Sequence, residues 1–293
     1  SLAHNLRIPT VIIGSTIVSL ATSAPEIQVS ITAALKNASN LAIGNAIGSN
    51  IANIGLVLGS MAIIKPVNLK SALSKKFMLI FLVVSFMTIF LFYYGTLSQA
   101  EGILLMMGLI IVLIWSVKFD LRSKDGADET IINTGSTEKN IALLPATMML
   151  IIGLLLLIIG AELLVIYASK IARTLGISET IIGITLVAIG TSLPELSVSI
   201  ISVLKGQVGL AIGNIIGSNI YNILAAIGIA GVLTKTPIEL SPNILIHLII
   251  MLCYTTVIYL FRNRSNGEIG RIEGLILVST FITYISYITI QNV

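Results

Sequence analysis

Two glutamates stand apart from the other ionisable residues of this chain. Glu26 and Glu195 each follow a Thr-Ser-x-Pro lead, Thr22, Ser23 and Pro25 in one case and Thr191, Ser192 and Pro194 in the other, inside long apolar runs. An ionisable side chain in such a run is costly and marks function by default. Proline removes one helical hydrogen bond and clashes with the carbonyl four residues back. Those carbonyls belong to Ala21 and Gly190, and the break also loosens Thr22 and Thr191. Freed carbonyls beside a carboxylate and serine hydroxyls form an all-oxygen cage. Hard cations such as Ca2+ and Na+ prefer such ligands, and Ca2+ takes about 6–8 of them. No histidine or cysteine lies nearby in the sequence, which argues against zinc or copper.

A second motif accompanies each glutamate. It reads G-N-x-I-G-S-N-I-x-N, at 44–53 and again at 213–222. Ser49 and Asn53 lie four apart and share one helix face, as do Ser218 and Asn222. They are placed to offer neutral oxygens opposite the carboxylates. Gly44, Gly48, Gly213 and Gly217 allow close helix packing. Asn45, Asn50, Asn214 and Asn219 are expected to satisfy broken backbone groups. A lone G-x-x-x-G would mean helix packing with polar glue and nothing more. Two copies, each paired with a Pro-Glu break, point to a site.

The copies define an internal repeat at an offset of 169 residues. From 13–59 against 182–228, 26 of 47 positions are identical without a gap, including Pro, Glu, Asn and Gly. The elements that carry the repeat follow from composition. Of the 293 residues 56% are apolar and 10% charged, against about 25% charged in soluble domains. So few charges cannot solvate the surface of a globule this size, and disorder needs the opposite composition. A single cysteine, Cys253, excludes an intramolecular disulfide framework. The net charge of +4 does not signal nucleic acid, because the basic residues sit between apolar runs.

Crossing a hydrocarbon core of about 30 Å takes about 20 apolar residues. Nine segments qualify, at 10–35, 40–63, 77–96, 100–118, 143–169, 179–204, 209–232, 242–261 and 271–290. Their continuity predicts helices rather than barrel strands. The fold class expected is therefore an all-α integral membrane protein. A polar linker at 119–142 divides it into an N-terminal half, 1–118, and a C-terminal half, 143–293. Thirteen Lys and Arg residues fall on one side of the spans and four on the other. Positive-inside bias then predicts a cytoplasmic linker and an external C-terminus. Span 10–35 leaves the cytoplasmic side and its twin 179–204 the external side, so the copies are inverted. Inverted repeats are the mark of secondary transporters, with the site at the midplane; a channel can also be built this way. Span 143–169 has no twin before residue 10. The complete architecture is expected to hold five plus five helices, the first of them missing from this sequence.

The remaining polar residues invite milder readings. Glu162 is expected to pair with Lys170 or Arg173, with an ion path as the alternative. His247 is read as a buried or interfacial histidine rather than a proton relay. Glu101 starts a helix, where the dipole favours a carboxylate. Lys36 and Lys205 are read as helix-end residues.

The strings GSTIVSLATSAPE with GNAIGSNIANIG, and GITLVAIGTSLPE with GNIIGSNIYNI, resemble the α-repeats of the cation/Ca2+ exchanger superfamily, specifically its sodium/calcium exchanger branch in prokaryotic form. The resemblance spans nearly the whole chain. It implies ten helices in two inverted halves and a secondary antiporter that moves Na+ against Ca2+ by alternating access. It implies that Glu26 and Glu195 are shared ligands for both ions, and that Thr22 and Thr191 give backbone carbonyls to Ca2+. Ser23, Ser49, Ser192 and Ser218, with the carbonyls of Ser19 and Ala188, would complete flanking Na+ sites, and Asn53 and Asn222 would border the centre. Potassium-dependent relatives carry Asp where this chain has Asn222, so K+ co-transport is not expected. Three Na+ for one Ca2+, an electrogenic cycle, is the exchange the resemblance implies. The partners expected are these two ions and a prokaryotic cell membrane, with no cofactor, no nucleic acid and a monomeric chain. Rival readings are an H+/Ca2+ antiporter, a cation channel and, with no visible nucleophile or catalytic metal motif, an intramembrane enzyme.

Overall fold

The computed structural model describes residues 10–120, 143–174, 188–234, 236–240 and 244–291. The apolar runs are helical throughout this range. The first span is two helices, α1 (Thr10–Thr22) and α2 (Ala24–Leu35), bent by 43°. Next come α3 (Ser39–Ile64), α4 (Lys75–Leu91), α5 (Gln99–Asp120) and α6 (Leu143–Thr174). Two short helices, α7 (Ala188–Thr191) and α8 (Leu193–Leu204), mirror the broken first span. The chain closes with α9 (Val208–Leu233), α10 (Ile244–Asn263) and α11 (Arg271–Gln291). Six of these are long and apolar enough to cross a membrane, seven if the bent pair α1–α2 is one span. Of the expected span at 179–204, the part before residue 188 lies outside the described residues. The span expected at 77–96 ends as a helix at Leu91. A short turn follows, and Gly95, at φ +73°, redirects the chain where a side chain would be strained.

The repeat in sequence is a repeat in structure. Helix α2 and its twin α8 begin and end 169 residues apart, and so do α3 and α9. Both α3 and α9 carry a π-helical stretch at the same place, Asn53–Leu58 and Asn222–Ile227. Such stretches cluster at functional sites. Helices α2 and α8 also stop the same way. Asn37 at φ 57° and Gly206 at φ 75° take the left-handed conformation. The next amides, of Ala38 and Gln207, reach back to the Ala33 and Ser202 carbonyls at 2.8 Å. That six-to-one bond satisfies carbonyls the helix end would otherwise orphan.

Two antiparallel strand pairs, too short to be read from sequence, clasp the halves together. Strand β1 (Val67–Asn68) pairs with β4 (Glu268–Ile269), and β2 (Thr96–Leu97) with β3 (Ile238–Glu239). Each pair takes one strand from each half.

Burial sorts the helices into centre and shell. Helix α3 is buried along 72% of its span and α9 along 89%, whereas α5 and α11 reach 17% and 22%. The core is therefore built where α3 and α9 meet, from Ile43, Ile47, Ile51 and Ile54 on one and Ile212, Ile215, Ile223 and Leu224 on the other. The outer helices turn Phe86, Phe90, Ile110 and Ile276 outward. A soluble protein would bury these; a hydrocarbon solvent makes them neutral. At the start of α5 the amide and hydroxyl of Ser98 both donate to Glu101 Oε2 at 2.7 Å, a reciprocal cap that gives Glu101 the structural role expected.

Close backbone approach holds α5 on α9. A Cβ on Gly102 would stand 2.7 Å from Val232 N and 2.9 Å from Gly228 O, backbone atoms that cannot turn aside. A Cβ on Gly108, two turns later, would meet only Leu224 Cδ2 at 3.5 Å. Gly102→Ala should therefore lower stability by about 1–3 kcal/mol, as overpacking does. Gly108→Ala should be neutral or gain up to about 1 kcal/mol from helix propensity. Thermal unfolding of the two variants in detergent distinguishes them.

Candidate cation-binding site

The site begins with the two breaks. Ser23 sits at φ −83°, ψ 4° and Ser192 at φ −87°, ψ 1°, each the hinge between a short helix and the one that follows. Proline occupies the first turn of α2 and of α8, where its missing N–H costs nothing. It cannot bond the carbonyl of Ala21 or Gly190. Glu26 and Glu195 lie in the same first turns, where the positive end of the helix dipole favours a carboxylate. Both are 0% exposed, and they lie close enough for their charges to repel.

A ring of hydroxyls lies around each carboxylate. Ser49 and Thr191 face Glu26; Thr22, Ser23 and Ser218 face Glu195. Each glutamate thus sees one serine from its own repeat and a threonine from the other. Ser23 Oγ and Ser218 Oγ donate to Glu195 Oε1, each at 3.3 Å. The hydroxyls also meet one another across the repeats. Thr22 and Ser218 lie 3.3 Å apart, and their twins Thr191 and Ser49 lie 3.5 Å apart. Asn53 and Asn222 open the π-helical stretches of α3 and α9, buried at the same centre.

What the ring does not do identifies its purpose. Both oxygens of Glu26, Oε2 of Glu195 and both the amide oxygen and the amide nitrogen of Asn53 and of Asn222 are buried without a hydrogen-bond partner. Buried acceptors left unpaired cost about 1–3 kcal/mol each, more when charged. A concentration of them at one place needs an explanation. Carboxylate oxygens left with free lone pairs in a buried place suit a bare cation, and an asparagine oxygen can turn to the same ion. Two carboxylates with neutral oxygens are a hard-cation donor set. Among the described residues no three His, Cys, Asp or Glu side chains gather, so a transition-metal centre has no ligands there.

The structure brings Ser19, Thr22, Ser23, Glu26, Ser49, Asn53, Thr191, Ser192, Glu195, Ser218 and Asn222 into the buried interior. The Ser19 carbonyl already accepts from the Ser23 amide at 2.9 Å, and Ala188 is the first residue of α7. Asn214 departs from expectation. It binds side chains rather than broken backbone: Thr22 Oγ1 donates to its Oδ1 at 3.1 Å, and its Nδ2 donates to Ser199 Oγ at 3.3 Å. Asn50 reaches across the repeats to the Asn219 carbonyl at 3.2 Å, and Asn219 bonds the carbonyl of Ile215 in its own helix. Ser199 was not among the expected site residues. Its signal in the sequence was its place one helical turn beyond Glu195, matched by Ser30 beyond Glu26. His247 pairs with Tyr284 at 3.1 Å between α10 and α11, which fits the interfacial reading. Lys170 lies over the Tyr167 ring, 5.2 Å from its centre; the side chains of Glu162 and Arg173 lie outside the described residues.

Comparison with known proteins places the same residues in a family context. The sequence profile described as sodium/calcium exchanger protein matches residues 1–118 and 145–290. The inner membrane protein YrbG of Escherichia coli is 33% identical over 295 residues, covering 97% of this chain and 88% of the relative. The sodium/calcium exchanger MaX1 of Methanosarcina acetivorans is 29% identical over 326 residues, covering 97% and 90%. Among solved structures, the sodium-calcium exchanger NCX_Mj soaked with 2.5 mM Na+ and 0.1 mM Ca2+ superposes with a TM-score of 0.81 at 34% identity, covering 97% of this chain and 88% of that one.

If the orphaned oxygens form a cation cage, Ca2+ should stabilise the folded chain. A ligand at 100 times its dissociation constant adds about 2.7 kcal/mol. Thermal unfolding across a Ca2+ titration should show a rise in Tm that Glu26→Gln abolishes, because the amide replaces a carboxylate that only a cation satisfies.

Proposed function

The chain belongs to the sodium/calcium exchanger protein family, and from that premise we propose that it is a Na+-coupled Ca2+ antiporter working by alternating access. It is an integral membrane transporter and not an enzyme. One cage between Glu26 and Glu195 holds either Ca2+ or Na+ and opens to one side of the membrane at a time. The observation that carries this reading is the fully buried pair of carboxylates, three of whose four oxygens have no hydrogen-bond partner.

The charge arithmetic supports exchange. Two carboxylates give a charge of about −2, which one Ca2+ or two Na+ neutralise. A third Na+ leaves one positive charge to cross the membrane, making the cycle electrogenic. Each such charge is worth about 2.3 kcal/mol per 100 mV. The Na+ gradient and the membrane potential would then drive Ca2+ outward. Glu26 and Glu195 serve both ions, with backbone carbonyls of Thr22 and Thr191 turned to Ca2+. Ser23, Ser49, Ser192 and Ser218, with the carbonyls of Ser19 and Ala188, hold the flanking Na+. Asn53 and Asn222 border the centre as neutral ligands. With an amide at position 222 the cage lacks a third negative charge, which supports K+ independence. The bias of Lys and Arg, thirteen to four, supports a cytoplasmic 119–142 linker and an external C-terminus.

Radiolabelled Ca2+ uptake into proteoliposomes tests the reading. An outward Na+ gradient should drive uptake, faster when an ionophore collapses the inside-negative potential that the net export of charge creates than when that potential is left to build. An outward K+ gradient should not drive it. Glu195→Gln should cut the flux by on the order of 10- to 100-fold, the scale of a lost charge-assisted ligand. Uptake driven by an outward H+ gradient without Na+ would instead make the chain a proton-coupled antiporter. Flux unaffected by either glutamate would refute the cage.

A further inference from the structure

Helix α9 meets α1 along a row of residues spaced four apart, Gly213, Gly217 and Tyr221. The two glycines bring the backbones together. A Cβ on Gly213 would strike the Val11 carbonyl, and one on Gly217 would stand 2.7 Å from Ser15 Cα and 2.5 Å from Ser19 Oγ. The third step of the row is a side chain instead of a space. Tyr221 is buried, and its hydroxyl donates to the Thr16 carbonyl at 3.4 Å.

That carbonyl has a special place. Thr16 is the middle residue of a further π-helical stretch, Gly14–Val18, inside α1. A π-helical turn departs from the regular hydrogen-bond ladder, and here the Thr16 carbonyl gathers three donors. They are the Ser19 amide, the Ser19 hydroxyl at 3.3 Å and the Tyr221 hydroxyl. Ser19 directly follows the stretch, and its carbonyl is one that the proposed mechanism gives to Na+. Tyr221 directly precedes Asn222, which opens the π-helical stretch of α9. One hydroxyl therefore ties together two distorted stretches that flank the cage.

The repeat does not duplicate this tie. On α3 the same row reads Gly44, Gly48 and Ala52, and an alanine has no hydroxyl to give. Packing alone does not account for the tyrosine, because an apolar ring would fill the same space without bringing a polar group that must find a partner when buried.

We propose that Tyr221 is a positioning residue that sets Na+ affinity apart from Ca2+ affinity. By holding the Thr16 carbonyl it fixes the bulge in α1, and with it the place of Ser19. The neighbouring ligands have anchors of their own. Thr22 is held by Asn214 at 3.1 Å and Ser23 by Glu195 at 3.3 Å, and both glutamates lie beyond the hinges, on α2 and α8. Loss of the Tyr221 hydroxyl reaches the Ser19 carbonyl first. The groups assigned to Ca2+, the two glutamates with the carbonyls of Thr22 and Thr191, keep their supports.

The inference rests on the Na+-coupled reading above, and one assay separates the two. Tyr221→Phe keeps the ring and removes only the hydroxyl. Radiolabelled Ca2+ uptake into proteoliposomes, with internal Na+ and external Ca2+ varied in turn, gives the half-saturating concentration of each ion. The Na+ value should rise roughly fivefold, the scale of one net hydrogen bond, while the Ca2+ value stays unchanged. Thermal unfolding in detergent makes the same comparison without turnover: the Na+-induced rise in Tm should shrink in the variant and the Ca2+-induced rise should persist. A merely structural tyrosine would lower the ion-free Tm and leave both half-saturating concentrations alone or shift them together. Either result would overturn the inference while leaving antiport intact. A wild type whose Ca2+ uptake ignores Na+ would overturn the reading beneath it.

Discussion

Two carboxylates buried beside each other in a membrane interior dominate this structure. Moving an ionised carboxylate out of water costs several kcal/mol even after relaxation, and each is made worse by the other. The hydroxyls around them offer about 1 kcal/mol per bond, and Glu195 has two such bonds. The sum of neutral contacts cannot match two buried charges; only countercharge can. The helix breaks at Ser23 and Ser192, the dipoles of α2 and α8 and the orphaned amide oxygens of Asn53 and Asn222 all prepare the place where that countercharge goes.

The rest of the fold makes the place possible. Helices α3 and α9 cross at the centre, and the glycines of α9 let α1 approach to backbone contact. The outer helices, apolar on their exposed faces, keep water and lipid at a distance. The strand pairs β1–β4 and β2–β3 tie the halves together outside the helices that bear the glutamates.

Much of this was legible in the residues themselves. A membrane solvent forces long apolar runs into helices, and among the described residues six helices, seven with the bent pair, are long and apolar enough to be spans. Pro25 and Pro194 mark the breaks because proline has no N–H to give. The repeat is visible because its matches include Pro, Glu, Asn and Gly rather than interchangeable aliphatics. Other features left no trace. The π-helical stretches that open at Asn53 and Asn222 have ordinary helix-forming sequences. Two-residue strands are too short for any periodicity. The partners of Asn214 leave no trace either: an asparagine can serve backbone or side chain equally well, and its partner Thr22 lies 192 residues away.

The central claim is that one cage serves both cations, so that each excludes the other. Equilibrium binding of radiolabelled Ca2+ to the detergent-solubilised protein, repeated at increasing Na+, measures this directly. A shared cage predicts that the apparent dissociation constant for Ca2+ rises without limit, and more steeply than in proportion to Na+, because more than one Na+ must leave before Ca2+ enters. A dissociation constant that levels off at high Na+ would mean that both ions bind at once in separate places, and would contradict the account.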